Sequence, residues 1–103
     1  MIRPLFPALV LAVAPVPASF AQGPAPSQGR DLAAACANCH GTDGASKAGI
    51  PSLAGRDRSE LVLLVQDFKS GKRSATVMHQ IAKGYSDEQI EAIAAYLSAR
   101  KAR

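Results

Sequence analysis

The chain has 103 residues, 48% of them hydrophobic, yet only three Phe, two Tyr and no Trp, and that length leaves no room for a second full domain. A formal charge of +4 is mild and dispersed, which excludes a nucleic-acid binder with a concentrated basic face. Two cysteines are too few for a disulfide framework.

Residues 1–21 read as a targeting segment. Arg3 precedes an apolar run from Leu5 to Val16, and small residues stand at Ser19 and Ala21. That is the pattern of a secretory signal peptide, with cleavage expected after Ala21. Pro4, Pro7, Pro15 and Pro17 interrupt the run, which falls short of the roughly 20 apolar residues of a spanning helix. No membrane span is therefore expected after cleavage, and export implies the periplasm, where free cysteine pairs tend to oxidise. Losing Arg3 with the signal leaves eleven Lys and Arg against eight Asp and Glu, a balance suited to brief docking on an acidic protein surface. The remaining 82 residues are a poor size for a self-sufficient core, and the shortage of aromatics asks for a bulky cofactor to fill it.

Residues 22–28, rich in Pro and Gly, read as a flexible leader. Leu32, Ala35 and Cys36 at helical spacing, with Asp31 in the first turn, predict a short helix over 29–37. Residues 41–56 hold four glycines and one proline and read as a long loop of functional length. Asp57 or Ser59 then caps a helix over 58–70, whose stripe is Leu61, Leu64, Val65 and Phe68 and which ends before Gly71. Residues 72–85 are mixed, with one short turn expected around 75–82. Ser86 to Gln89 forms a capping box, Ile90, Ile93, Ala94 and Leu97 repeat the apolar stripe, and Arg100, Lys101 and Arg103 suit the end of that last helix. No segment alternates like a strand. The class is all-α, with three to four helices in one domain over 29–103.

The chemistry lies in Cys36-Ala-Asn-Cys39-His40. Two thiols three positions apart, followed at once by an imidazole, form the attachment signature of c-type haem. The thiols add to vinyl groups on neighbouring pyrroles, and the histidine then falls beneath the iron. A reactive Cys-x-x-Cys pair would want a βαβ setting that this chain lacks. A zinc site could recruit Cys36, Cys39, His79 and His40, but His40 follows Cys39 directly, which makes joint tetrahedral ligation awkward. A local disulfide beside an unrelated histidine is the bland alternative. One covalent haem c per chain is the reading carried forward. For the sixth ligand, Met78 is the one methionine left after signal removal and His79 the one other histidine. An open iron and a Met78 serving only as core filler are the other possibilities. Met78 stands between two helices, in a segment able to fold over the second haem face, and a thioether ligand raises the potential.

These residues bring a family into view. Residues 29–102 resemble a class I cytochrome c through the haem motif, Gly41-Thr-Asp-Gly44, Ile50-Pro-Ser-Leu-Ala-Gly55, Phe68-Lys-Ser-Gly-Lys-Arg73, Thr76-Val-Met-His79, Lys83-Gly-Tyr-Ser-Asp-Glu88 and Ala95-Tyr-Leu97. The later segments are similar to those of the cytochrome subunits of flavocytochrome c sulfide dehydrogenases, here in a single-haem form. The resemblance implies a small cytochrome c fold and a carbonyl at Pro51 that accepts a hydrogen bond from the proximal His40. It also implies a first helix packed across the last through Leu32, Tyr96 and Leu97, with Tyr96 a packing residue rather than a redox relay. It further implies an electron carrier rather than an enzyme in its own right, taking electrons from a sulfide-oxidising flavoprotein subunit. A freestanding cytochrome serving a terminal oxidase is the alternative. Lys69, Lys72, Arg73 and Lys83 are the basic cluster that would steer an acidic partner, or else an ordinary solvated face.

Overall fold

The computed structural model describes residues 4–5, 7–18, 26–47 and 49–102. The expected cleavage point at Ala21, its neighbour Ser19, Arg3, leader residues 22–25, Ala48 and Arg103 lie outside the described residues. Residues 4–5 and 7–18 adopt neither helix nor strand, and their large apolar side chains are 79–98% exposed.

Five α-helices follow among the described residues: α1 Pro26–Ala33, α2 Ala37–His40, α3 Arg58–Ser70, α4 Met78–Lys83 and α5 Asp87–Ser98. A 3₁₀ turn over Ala34–Cys36 joins the first two. No strand occurs among the described residues. The expected leader is therefore helical from Pro26, because proline at a first helical position has its φ pre-set and gives up an N–H that has no partner there. Winding also runs past residue 37 as far as His40 before Gly41, at φ 85°, turns the chain away.

The two long helices match their local signals. Asp57 accepts the Glu60 N–H at 3.0 Å to start α3, and Gly71 closes it in the left-handed region at φ 81°. Ser86 Oγ accepts the Gln89 N–H at 3.2 Å while Gln89 Oε1 accepts the Ser86 N–H at 2.9 Å, the reciprocal capping box. The expected cations do not fall within the last turn of α5, which ends at Ser98. Arg100 instead lays its guanidinium over the Tyr96 ring at 4.5 Å.

Helix α5 is the spine, packed against α1 on one side and α3 on the other, while α4 packs on α3. Gly29 is the crossing point of α1 and α5: a Cβ there would lie 2.5 Å from the Ala92 carbonyl oxygen. Of the ten buried apolar residues described, six are alanines, and Leu61, Ile90, Ile93 and Leu97 are the large ones. Leu64, Val65 and Phe68, the rest of the α3 stripe, are only half-buried. They face a hole rather than a core.

Candidate functional site

That hole is a cavity of about 540 Å³, walled mainly by apolar side chains from α3, α4 and α5. Cys36, Cys39 and His40 form another wall, and Ile50, Pro51 and Leu53 of the long loop stand with them. The wound backbone explains the grouping, since positions i, i+3 and i+4 of a helix share one face.

Neither thiol is in a disulfide. Cys36 is half-buried, and its desolvation pushes the thiol above its ordinary value, against a weaker opposing backbone hydrogen bond. It is accordingly a protonated thiol at neutral pH, the form that carries its own hydrogen into an addition. His40 Nδ1 donates to the Pro51 carbonyl oxygen at 2.7 Å. A carbonyl only accepts, so the neutral ring carries its proton on Nδ1 and turns the Nε2 lone pair outward as its donor. Such an outer hydrogen bond also fixes the ring and raises its basicity as a ligand.

Met78, the first residue of α4, lines the cavity; His79 is not among the lining residues. His79 Nδ1 is buried without a hydrogen-bond partner. Among the described residues no three Cys, His, Asp or Glu side chains converge as metal donors, so the four-donor zinc grouping does not assemble. Two free thiols, one oriented imidazole and one thioether around an apolar space fit a covalently held porphyrin with an iron at its centre.

Polar groups gather at the rim, where Arg56, Glu60 and Arg73 line the cavity. Arg56 pairs with Glu60 at 2.6 Å, and Arg73 sits over the Phe68 ring at 5.5 Å. Lys69 departs from the expected basic cluster. Its Nζ donates to the Tyr85 carbonyl at 2.7 Å and to Asp87 at 3.3 Å, tying α3 to the start of α5 with only 29% of the side chain exposed. Lys72, Arg73 and Lys83 remain exposed.

Residues 24–97 match the family described as cytochrome c oxidase, cbb3-type, subunit III. The chain belongs to the class I c-type cytochromes. It is 47% identical over 70 residues to the cytochrome subunit of sulfide dehydrogenase from Chlorobaculum tepidum, covering 68% of this cytochrome and 64% of that protein. Against cytochrome c-554(548) from Halomonas halodenitrificans it is 39% identical over 77 residues, covering 71% of this chain and 93% of the relative. The crystal structure of reduced cytochrome c4 from Pseudomonas stutzeri superposes with a TM-score of 0.70 at 34% identity, over 80% of this chain and 48% of that one. The chain spans less than half the length of most curated relatives it matches and 64% of the sulfide dehydrogenase subunit. Proteins of this family are electron-transfer cytochromes that carry covalently bound haem c. No helix among the described residues is long and apolar enough to cross a membrane.

Two features of the site escaped sequence reasoning. Gly29 at the helix crossing carried no local signal. The bond from Tyr96 to Asp43 links residues 53 positions apart, a role beyond both the packing residue and the redox relay that the resemblance offers for Tyr96.

Proposed function

We propose that this cytochrome holds one haem c in the cavity, with thioether bonds from Cys36 and Cys39 and axial ligands from His40 Nε2 and Met78 Sδ. The observation that carries this reading is the His40–Pro51 hydrogen bond, which makes Nε2 the ring's donor atom in the neutral tautomer, on the same wall as both thiols. Bound there, the iron supplies a one-electron ferric/ferrous couple, held at a raised potential by thioether ligation. The protein's residues do the rest. Cys36 and Cys39 would hold the group, each adding its sulfur to one vinyl carbon and its thiol hydrogen to the neighbouring one. Pro51 keeps the imidazole in one tautomer and one orientation. The apolar faces of α3 and α5 exclude water, and the packed helices hold both axial side chains in place as charge changes.

The cytochrome works after export to the periplasm, as the domain 29–103 freed of residues 1–21. The solvent-exposed side chains of Leu5, Leu9, Val10, Leu11, Val13 and Val16 support removal of that segment. Its electrons come from a sulfide-oxidising flavoprotein subunit, supported by the identity to the sulfide dehydrogenase cytochrome of Chlorobaculum tepidum. A second reading, a free carrier serving a terminal oxidase, is favoured by the cbb3-type family description and by the single-domain length of the Halomonas relative.

The test is expression of the full chain with a haem-attachment system. Haem that survives denaturing electrophoresis, and is lost in Cys36→Ala/Cys39→Ala, is expected. Met78→Ala abolishes the weak far-red band of thioether-ligated ferric haem and lowers the potential, whereas His79→Ala leaves both. Loss of the band in the His79 variant and its survival in the Met78 variant would reverse the ligand assignment. Co-purification with a flavoprotein separates the two partner readings.

A further inference from the structure

We infer that Tyr96 is a positioning residue for the proximal histidine, acting through Asp43 on the loop that carries Pro51. The inference rests on His40 being the proximal ligand, as proposed above. Asp43 is the one non-glycine among the described residues with positive φ, at 53°. That is the left-handed region, which L-residues rarely adopt, and it stands three residues past His40. Its carboxylate accepts the Tyr96 hydroxyl proton at 2.7 Å.

The next residue explains why this position matters. Gly44 offers its carbonyl to both Leu53 N–H at 2.7 Å and Ala54 N–H at 3.1 Å. Those bonds fold the far end of the loop back onto its start. A Cβ on Gly44 would meet Leu97 Cδ2 at 3.0 Å, so the turn is seated directly on α5. Further along, Gly55 N–H donates to the Leu97 carbonyl at 3.0 Å. Helix α5 thus grips the loop at both ends, by Tyr96 at Asp43 and by Leu97 at Gly55. Pro51, whose carbonyl orients His40, lies between the two grips. Releasing the first grip lets the turn relax, and the Pro51 carbonyl loses its fixed distance from Nδ1.

The charged groups around the phenol suit this role. Asp43 faces it from the loop, Arg30 from α1 and Arg100 from beyond α5. Arg30 is itself engaged with Asp31 at 3.2 Å. The hydrogen bond to Asp43 is the main reason the phenol is held above its ordinary value of 10.0. Ionisation would set a phenolate against a carboxylate and turn the grip into repulsion.

The experiment uses the haem-loaded chain and three variants. Tyr96→Phe keeps the ring and removes only the donor. In that variant the Leu53 and Ala54 amides should exchange about five- to tenfold faster, as expected for loss of one hydrogen bond, while amides in the middle of α3 keep their protection. The reduction potential should rise, because a weaker Nδ1 bond makes His40 a poorer donor to the ferric state. Asp43→Asn retains an acceptor oxygen and tolerates positive φ, so it should keep wild-type loop protection, whereas Asp43→Ala should lose it. On titration into the alkaline range, wild type should show an inflection in potential that Tyr96→Phe lacks and that Asp43→Asn moves to lower pH.

Unchanged loop protection and potential in Tyr96→Phe would overturn the inference. So would an equal loss of protection in every helix, which marks a packing role alone. Should Tyr96→Phe fail to fold, the Asp43 pair decides: equal protection in Asn and Ala variants refutes the grip. Failure of the ligand assignment would show separately, as an unchanged haem spectrum in His40→Ala.

Discussion

Gly29→Ala sets two physical effects of opposite sign against each other. Gly29 lies inside α1, where alanine is favoured over glycine by about 1 kcal/mol of intrinsic helix propensity. Judged on helix formation alone, the substitution stabilises the protein. At the crossing with α5, however, the new Cβ would lie 2.5 Å from the Ala92 carbonyl oxygen and 3.1 Å from Tyr96 Cβ. A backbone oxygen cannot swing aside as a flexible side chain can, so the helices must separate. Overpacking of this kind costs about 1–3 kcal/mol, and a clash with backbone belongs near the upper end. The net effect is a loss of about 2 kcal/mol, which for a domain this size lowers Tm by roughly 10 °C. Thermal unfolding of the haem-loaded protein, followed by helical circular dichroism, measures it. Gly49→Ala is the control, since nothing lies within 4 Å of a Cβ there and the change should be neutral or slightly stabilising. A Gly29→Ala variant as stable as wild type, or more so, would refute a close α1–α5 crossing at this residue.

Two further outcomes follow from charge. Asp87 is held below its ordinary carboxylate value of 3.8, first by the Gln66 hydrogen bond and then by Lys69. Its depressed pKa means that its stabilising contribution is present above that ordinary value and is lost as pH falls through the folded one. Asp87→Asn should therefore lower the urea midpoint at neutral pH, and the gap from wild type should close in strong acid; a gap independent of pH would contradict the ion pair. For docking, Lys72→Glu with Lys83→Glu should slow electron transfer with an acidic partner at low ionic strength, with the deficit shrinking as salt rises. These two are exposed and leave Lys69 and its tie to α5 intact. A wild-type rate in low salt would remove them from the docking surface.

Much of this cytochrome was legible locally. Helices α3 and α5 begin at Asp57 and Ser86 and present stripes at i, i+3, i+4 and i+7, because caps and turns are settled within three or four residues. The Cys36–Cys39–His40 spacing is equally local, and a sparse core was implied by the length of the chain and its few aromatics.

What the tertiary structure decided lies at longer range. The choice of Met78 over His79 as the side chain lining the cavity depends on how α4 is rotated against α3, and neighbouring residues on a helix carry no sequence mark of that rotation. Lys69 read as part of a docking patch until the start of α5 brought Tyr85 and Asp87 to it. Helix α1 lies across α5 with Gly29 against Ala92, a crossing that no local pattern around residue 29 announces. Tyr96 reaches Asp43 across 53 positions. Contacts between distant segments depend on the angle and rotation at which helices meet, and those are set by the packing of all their side chains together rather than by any one stretch of sequence.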